Sequence, residues 1–149
     1  MGLVSQSIAP FVSRFVMMLM LMPSRQNISS GALWEPIVGY SRAVRVGQLV
    51  FVAGTTATDS ADPYGQTAGA LRKIEAALQE ASATRQDIVR TRIFVRNIGQ
   101  WEEIGRAHRE FFGENLPAAT MVEVSRFIDP EILVEIEADA VIINVGEGL

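Results

Sequence analysis

Cysteine is absent from the 149 residues. That excludes a disulfide, a thiolate nucleophile and a cysteine-based metal site, while leaving the compartment open. A single histidine, His108, excludes a histidine-rich metal centre within one chain. Basic residues are in deficit, 13 Lys and Arg against 17 Asp and Glu, for a net charge of −4. Such a chain lacks the basic surface that nucleic-acid phosphates demand. No glycine-rich phosphate loop is present, since Gly99 and Gly105 are isolated. No G-x-S-x-G turn supports a serine hydrolase. These absences lead us to expect no cofactor, no metal and no nucleic-acid partner. Long apolar runs are also scarce. Phe15 to Met22 is the longest, and it is too short to span a bilayer.

Apolar residues make up 48% of the chain, enough for the core of one domain. Residues 1–28 differ from the rest. Arg14 is the lone base ahead of the apolar run, and Met22-Pro23-Ser24 lacks a small-x-small cleavage pattern. The sixth residue, Gln6, breaks a myristoylation pattern. We therefore expect a disordered extension, or a start truly at Met22, with membrane or export targeting as the lesser alternative. The domain is assigned to 29–149.

Ser41 to Val46 and Leu49 to Ala53 are two β-rich runs around a Gly47-Gln48 turn. Thr55 to Ala61 is small and polar, a loop. Asp62-Pro63 has the chemistry of a helix start, although Gly65 and Gly69 weaken the first turns and allow a later one. Leu71, Ile74, Leu78 and Ala81 then recur on one helical face, and the helix should end near Ala83. Ile88 to Arg96 alternates, with Val89, Thr91, Ile93 and Val95 on one face and Arg90, Arg92, Phe94 and Arg96 on the other. A second helix is expected from Asn97, through Trp101, Ile104, His108, Phe111 and Phe112, to a stop at Gly113. His108 falls on or beside the apolar stripe and reads as a structural residue rather than a base.

Two further alternating stretches close the chain: Asn115 to Ser125 and Leu133 to Ala140. A loop through Asp129-Pro130-Glu131 joins them, and the pattern predicts a hairpin with a long connection. In the second stretch Val134 and Ile136 oppose an acidic stripe of Glu135, Glu137 and Asp139. That stripe could neutralise the basic one on Ile88 to Arg96 if the strands pair or meet across subunits. The order is β-β-α-β-α-β-β, an α+β domain whose two helices cover one face of a mixed sheet. The other face carries the charged stripes, and a sheet face not covered by its own helices often becomes buried in an oligomer.

The chain from about Ile28 to Val145 resembles the YjgF/RidA family. The resemblance lies in Val46-Gly47, Leu49 to Gly54, Asp87 to Val95, Phe111-Phe112, Pro117 to Val124 and Val134 to Ala138, taken in order and spacing. It implies a chorismate-mutase-like fold, a cytoplasmic homotrimer and small-metabolite sites between subunits, with no membrane partner. It also implies site positions. Tyr40 matches the family's Tyr, and Glu135 matches the carboxylate that positions or activates water. Thr120 stands for a Ser, and Ala53, next to Gly54, for another. Gly105 corresponds to an Asn on the second helix, and Ala119 to the Arg that grips a substrate carboxylate. Glu135 and Thr120 are thus the expected catalytic pair. Tyr40, Ala53, Gly54, Gly105, Ala119 and Met121 are the expected ligand contacts.

Loss of a charge-assisted contact to a carboxylate costs about 1.5–3 kcal/mol. The resemblance, less that Arg, implies a hydrolase or deaminase for C=N bonds other than those of amino-acid imines such as 2-iminobutanoate and 2-aminoacrylate. Alternatives are a non-catalytic trimeric metabolite-binding module and, ranked last, an RNA-cleaving activity. Arg42 and Arg126 are the cations that could replace the missing one. Deleting Met1 to Met22 should leave the melting temperature unchanged. A large drop in a thermal melt would show instead that the apolar run is docked.

Overall fold

A computed structural model describes residues 24–143. Six strands form one sheet: β1 (Arg25–Ile28), β2 (Ala43–Val46), β3 (Leu49–Thr55), β4 (Ile88–Val95), β5 (Ala118–Glu123) and β6 (Val134–Val141). A short helix, α1 (Trp34–Val38), follows β1. Helix α2 (Pro63–Glu80) connects β3 to β4, and α3 (Trp101–Phe112) connects β4 to β5. The order across the sheet is β1-β2-β3-β6-β4-β5. Neighbours are antiparallel except β4 and β5, which run parallel. The mixed α+β sheet is as expected, with β1 and α1 in addition. β1 lies inside the 1–28 stretch set apart above and pairs along β2, Arg25 opposite Val46 and Ile28 opposite Ala43. Met1 to Met22, with the extension and targeting alternatives, lie outside the described residues. Among the described residues no helix is long and apolar enough to cross a membrane.

The expected hairpin between the last two stretches does not form. β4 lies between β5 and β6. α3 returns the chain to the start of β4, so β5 can join β4 only in parallel, as in any strand–helix–strand crossover. β6 then fills the slot between β3 and β4, antiparallel to both. Alternation identifies a strand but not its neighbour, which is why the pattern pointed to the wrong partner.

A second difference lies in β4. Its pairing with β6 shifts register between Ile88 and Arg90. The irregularity sends Ile88 into the core at 2% exposure and leaves Val89 45% exposed. From Thr91 onward the expected faces hold, with Thr91, Ile93 and Val95 buried.

α2 starts at Pro63, the earlier of the two expected positions. Asp62 caps it, its carboxylate accepting from the Gly65 N–H at 2.8 Å. Gly69 is there for packing: a Cβ on it would lie 2.7 Å from the Cβ of Ala57 in the loop that crosses the helix. The α2 stripe of Leu71, Ile74 and Leu78 is fully buried, with Ile104 and Phe112 of α3 in the same cluster. Val50, Val52, Ile93, Val95, Val134 and Ile136 supply the sheet side. Full burial of such a side chain contributes about 1.5–3 kcal/mol, so this one face of the sheet carries the fold. α3 begins at Trp101, later than expected, because Asn97 caps a preceding single turn by accepting from Gly99 N–H at 2.9 Å.

His108 faces Thr91 of β4, with Nε2 2.9 Å from the Thr91 hydroxyl, and its ring packs 4.5 Å from that of Phe112. Burial pushes its pKa down. The folded chain thus holds a neutral imidazole, while the unfolded chain takes up a proton near pH 6.5. Stability should be full above that pH and decline as the pH falls through it. Urea unfolding of wild type and His108→Gln at pH 7.5 and 5.5 checks this: the variant should lose less stability between the two.

Candidate functional site

The site begins with an irregularity in β3. Val52 pairs with Ala138 and Thr55 with Ile136, so Ala53 and Gly54 face the single residue Glu137 across the gap. Such a bulge bends the strand and redirects side chains. Here it sends Thr55 into the covered side at 2% exposure. Glu135 rises from the other, uncovered face, opposite Phe94. Its carboxyl lies directly over Gly54. A Cβ on Gly54 would overlap Glu135 Oε1 and lie 2.9 Å from Cδ. Only a residue without a side chain admits the carboxyl there.

Burial raises the Glu135 pKa, the Glu137 charge adds to the rise, and Arg42 opposes it. A carboxyl moved toward neutrality in this way suits proton transfer. Arg42 crosses from the chain ahead of β2. Its Nη1 donates to Gly54 O at 2.7 Å and Thr55 Oγ1 at 3.0 Å, and its Nη2 to Tyr40 Oη at 3.2 Å.

Tyr40 also lines a cleft of about 550 Å³ walled by Asn27, Ser29, Leu33, Glu35 and Pro36. Glu35 is 94% shielded from solvent by difference from its 6% exposure. It accepts from the Ser29 hydroxyl, from Ser30 N–H at 2.9 Å and from Ser30 Oγ at 2.5 Å. These donors lower its pKa to about 2, so the carboxylate stays ionised and pins the loop that walls the cleft.

Four of the expected positions are therefore gathered in one chain: Glu135, Gly54, Ala53 and Tyr40. Ala53 takes part through its backbone, its O accepting from Thr55 Oγ1 at 2.7 Å. Thr120, Ala119 and Met121 lie on β5 beyond β4. Thr120 stands opposite Arg92, Ala119 is exposed, and Met121 packs against the core cluster. Gly105 lies on α3, on the covered side, with nothing within 4 Å of a Cβ. Of the two substitute cations, Arg42 is in the site and Arg126 is exposed after β5. Glu35, Ser29, Ser30 and Thr55 were not anticipated. Thr55 was read as the first loop residue, and only the bulge turns it inward.

The charged stripes meet within one chain. Arg92 lies 3.4 Å from Glu137 and 3.1 Å from Asp139. These half-exposed pairs are worth at most about 1 kcal/mol each, but they leave Glu135 outside the pairing.

The fold and cleft define a chorismate-mutase-like α+β protein with a carboxyl seated on a sheet bulge. Residues 31–142 match the family model described as Endoribonuclease L-PSP, and the chain belongs to that family, the YjgF/RidA family. A Streptomyces coelicolor protein is 36% identical over 121 residues, covering 77% of this chain and 90% of its own. A RutC family protein of Pyrococcus abyssi is 34% identical over 113 residues, covering 71% and 88%. A 2-iminobutanoate/2-iminopropanoate deaminase of Dermatophagoides farinae is 29% identical over 128 residues, covering 81% and 99%. Among solved structures, a YjgF/YER057c/UK114 family member of Mycobacterium tuberculosis is 54% identical with a TM-score of 0.78, covering 80% of this chain and all of that one.

Gly54→Ala should leave a folded protein, at a cost of about 1–3 kcal/mol for the crowding. It should turn the Glu135 carboxylate out to solvent and return its titration toward the ordinary range. A crystal structure with a carboxyl-carbon NMR titration checks both.

Proposed function

We propose that this chain acts on the C=N bond of a small imine or enamine that carries no amino-acid carboxylate, as a cytoplasmic homotrimer with sites between subunits. One observation supports the reading: Ala119 stands where the resemblance places the family's Arg, and Arg42 is already engaged within the chain. Arg42, the cation nearest Glu135 in the hydrogen-bonded network, already directs Nη1 to Gly54 O and Thr55 Oγ1 and Nη2 to Tyr40 Oη. A carboxylate-bearing substrate therefore loses a charge-assisted contact worth about 1.5–3 kcal/mol.

In this reading Glu135 takes a proton from water as its oxygen adds to the imine carbon. The nitrogen is protonated and leaves as the amine, and the carbon becomes a carbonyl. Tyr40 contacts the ligand from the cleft wall. Thr120 lies in the row of Arg92 and Glu137, two strands from β6 at about 4.8 Å per strand. A small ligand that touches both Thr120 and Glu135 therefore needs a second subunit. The uncovered sheet face supports such an assembly, because Leu49, Phe51 and Val122 are 44%, 47% and 43% exposed there and gain by burial.

A non-catalytic metabolite-binding module is the second reading, since the same cleft binds without turnover if no water reaches Glu135. RNA cleavage ranks last. The net charge is −4, and His108 is occupied beneath the sheet with Thr91.

The test compares wild type and Ala119→Arg on an imine generated from an amino acid in the cuvette and on an imine without a carboxylate. The expected result is turnover of the second substrate by wild type, with a gain of roughly tenfold or more on the first in the variant, the kinetic equivalent of about 1.4 kcal/mol. Robust wild-type turnover of the amino-acid imine overturns the specificity. Silence of both proteins on both substrates moves the binding module ahead.

A further inference from the structure

Arg42 has a role in this site beyond its charge. Arginine carries donors only, so the Tyr40 oxygen accepts from Nη2, and the phenol's own proton is left for another acceptor. Nη1 has both Gly54 O and Thr55 Oγ1 as acceptors. Thr55 in turn donates to Ala53 O. The guanidinium is thus anchored at three points, two of them on the bulge that seats Glu135.

The surroundings of Glu135 make this anchor count. Glu137 neighbours it on β6 and disfavours its charge. Arg92, on β4, is turned to Glu137 and Asp139. Phe94, directly opposite, is apolar. β3 presents the backbone of Gly54 beneath the carboxyl. The charge of Arg42 reaches Glu135 from the β2 side and Glu35 across the cleft wall.

We propose that Arg42 is a positioning residue of this site, holding the Gly54 bulge under Glu135 and leaving the Tyr40 proton free, so that a ligand meets a carboxyl and a phenol donor instead of a cation. This rests on Glu135 and Tyr40 forming the proposed site. It names the ligand's chemistry: a neutral molecule with a hydrogen-bond acceptor, such as an imine nitrogen, placed toward Tyr40.

The experiment reads the protein itself, so an absence of imine turnover, which would sink the proposed reaction, leaves it interpretable. Glu135 is titrated by carbon-detected NMR of its carboxyl in wild type, Arg42→Gln and Arg42→Lys. In Arg42→Gln the carboxyl should titrate at higher pH than in wild type, whereas a purely structural arginine would lower stability and leave the titration in place. Arg42→Lys near the wild-type value assigns the effect to charge. Arg42→Lys displaced as far as Arg42→Gln assigns it to the three-point anchor and supports the role, whereas an effect of charge alone overturns the positioning role. An unmoved titration in Arg42→Gln overturns it. Should Arg42→Gln not fold, wild type decides: separate, slowly exchanging Nη1 protons are expected, and one averaged, fast-exchanging signal overturns the proposal.

Discussion

The close approach of the Glu135 carboxyl to Gly54 is the contact around which the site is arranged. It requires a residue with no Cβ at 54 and a bulge that brings that residue under β6. It also needs a partner for the backbone the bulge frees. Arg42 and Thr55 supply that partner. Half-burial then holds the carboxyl toward neutrality. A local defect in strand pairing, with its freed backbone matched by Arg42 and Thr55, becomes the seat of a half-buried carboxyl.

The rest of the uncovered face is electrically arranged around that carboxyl. Arg92 answers two of the three acids on β6 and leaves the third without a neighbour on β4, where Phe94 stands. On the other side, Ser29 and Ser30 keep Glu35 ionised and the cleft wall in place. Glu35 in the cleft wall is thus held ionised by its donors, whereas Glu135 over the bulge is moved toward neutrality by half-burial. Two like groups in unlike environments are a common way for a protein to divide binding from chemistry.

Local chemistry made much of the fold legible. Asp62-Pro63 start α2, the 71/74/78 stripe is buried, and Gly47-Gln48 turn β2 into β3, all as the residues suggest. β1 was not legible, because Arg25 to Asn27 are polar and exposed and only pairing with β2 makes them a strand. The phase of β4 failed at Val89, where a bulge broke the alternation. Glu135, Gly54 and Tyr40 were singled out through a family resemblance, not through periodicity. Glu35 and Thr55 were missed because neither sits in a repeating pattern: a loop turns Ser29 and Ser30 back onto Glu35, and a strand bulge turns Thr55 inward.

What the sequence determined by itself is therefore what depends on near neighbours and composition: helix caps and stripes, strand alternation and the missing cysteine. The tertiary structure decided which strand lies beside which. β6 enters between β3 and β4, and this insertion ends the apparent hairpin, matches the acidic stripe to Arg92 and brings Glu135 over Gly54. The physical reason is that side-chain periodicity specifies a face, whereas a neighbour is chosen by chain connectivity and by the shared apolar face that all the strands must bury.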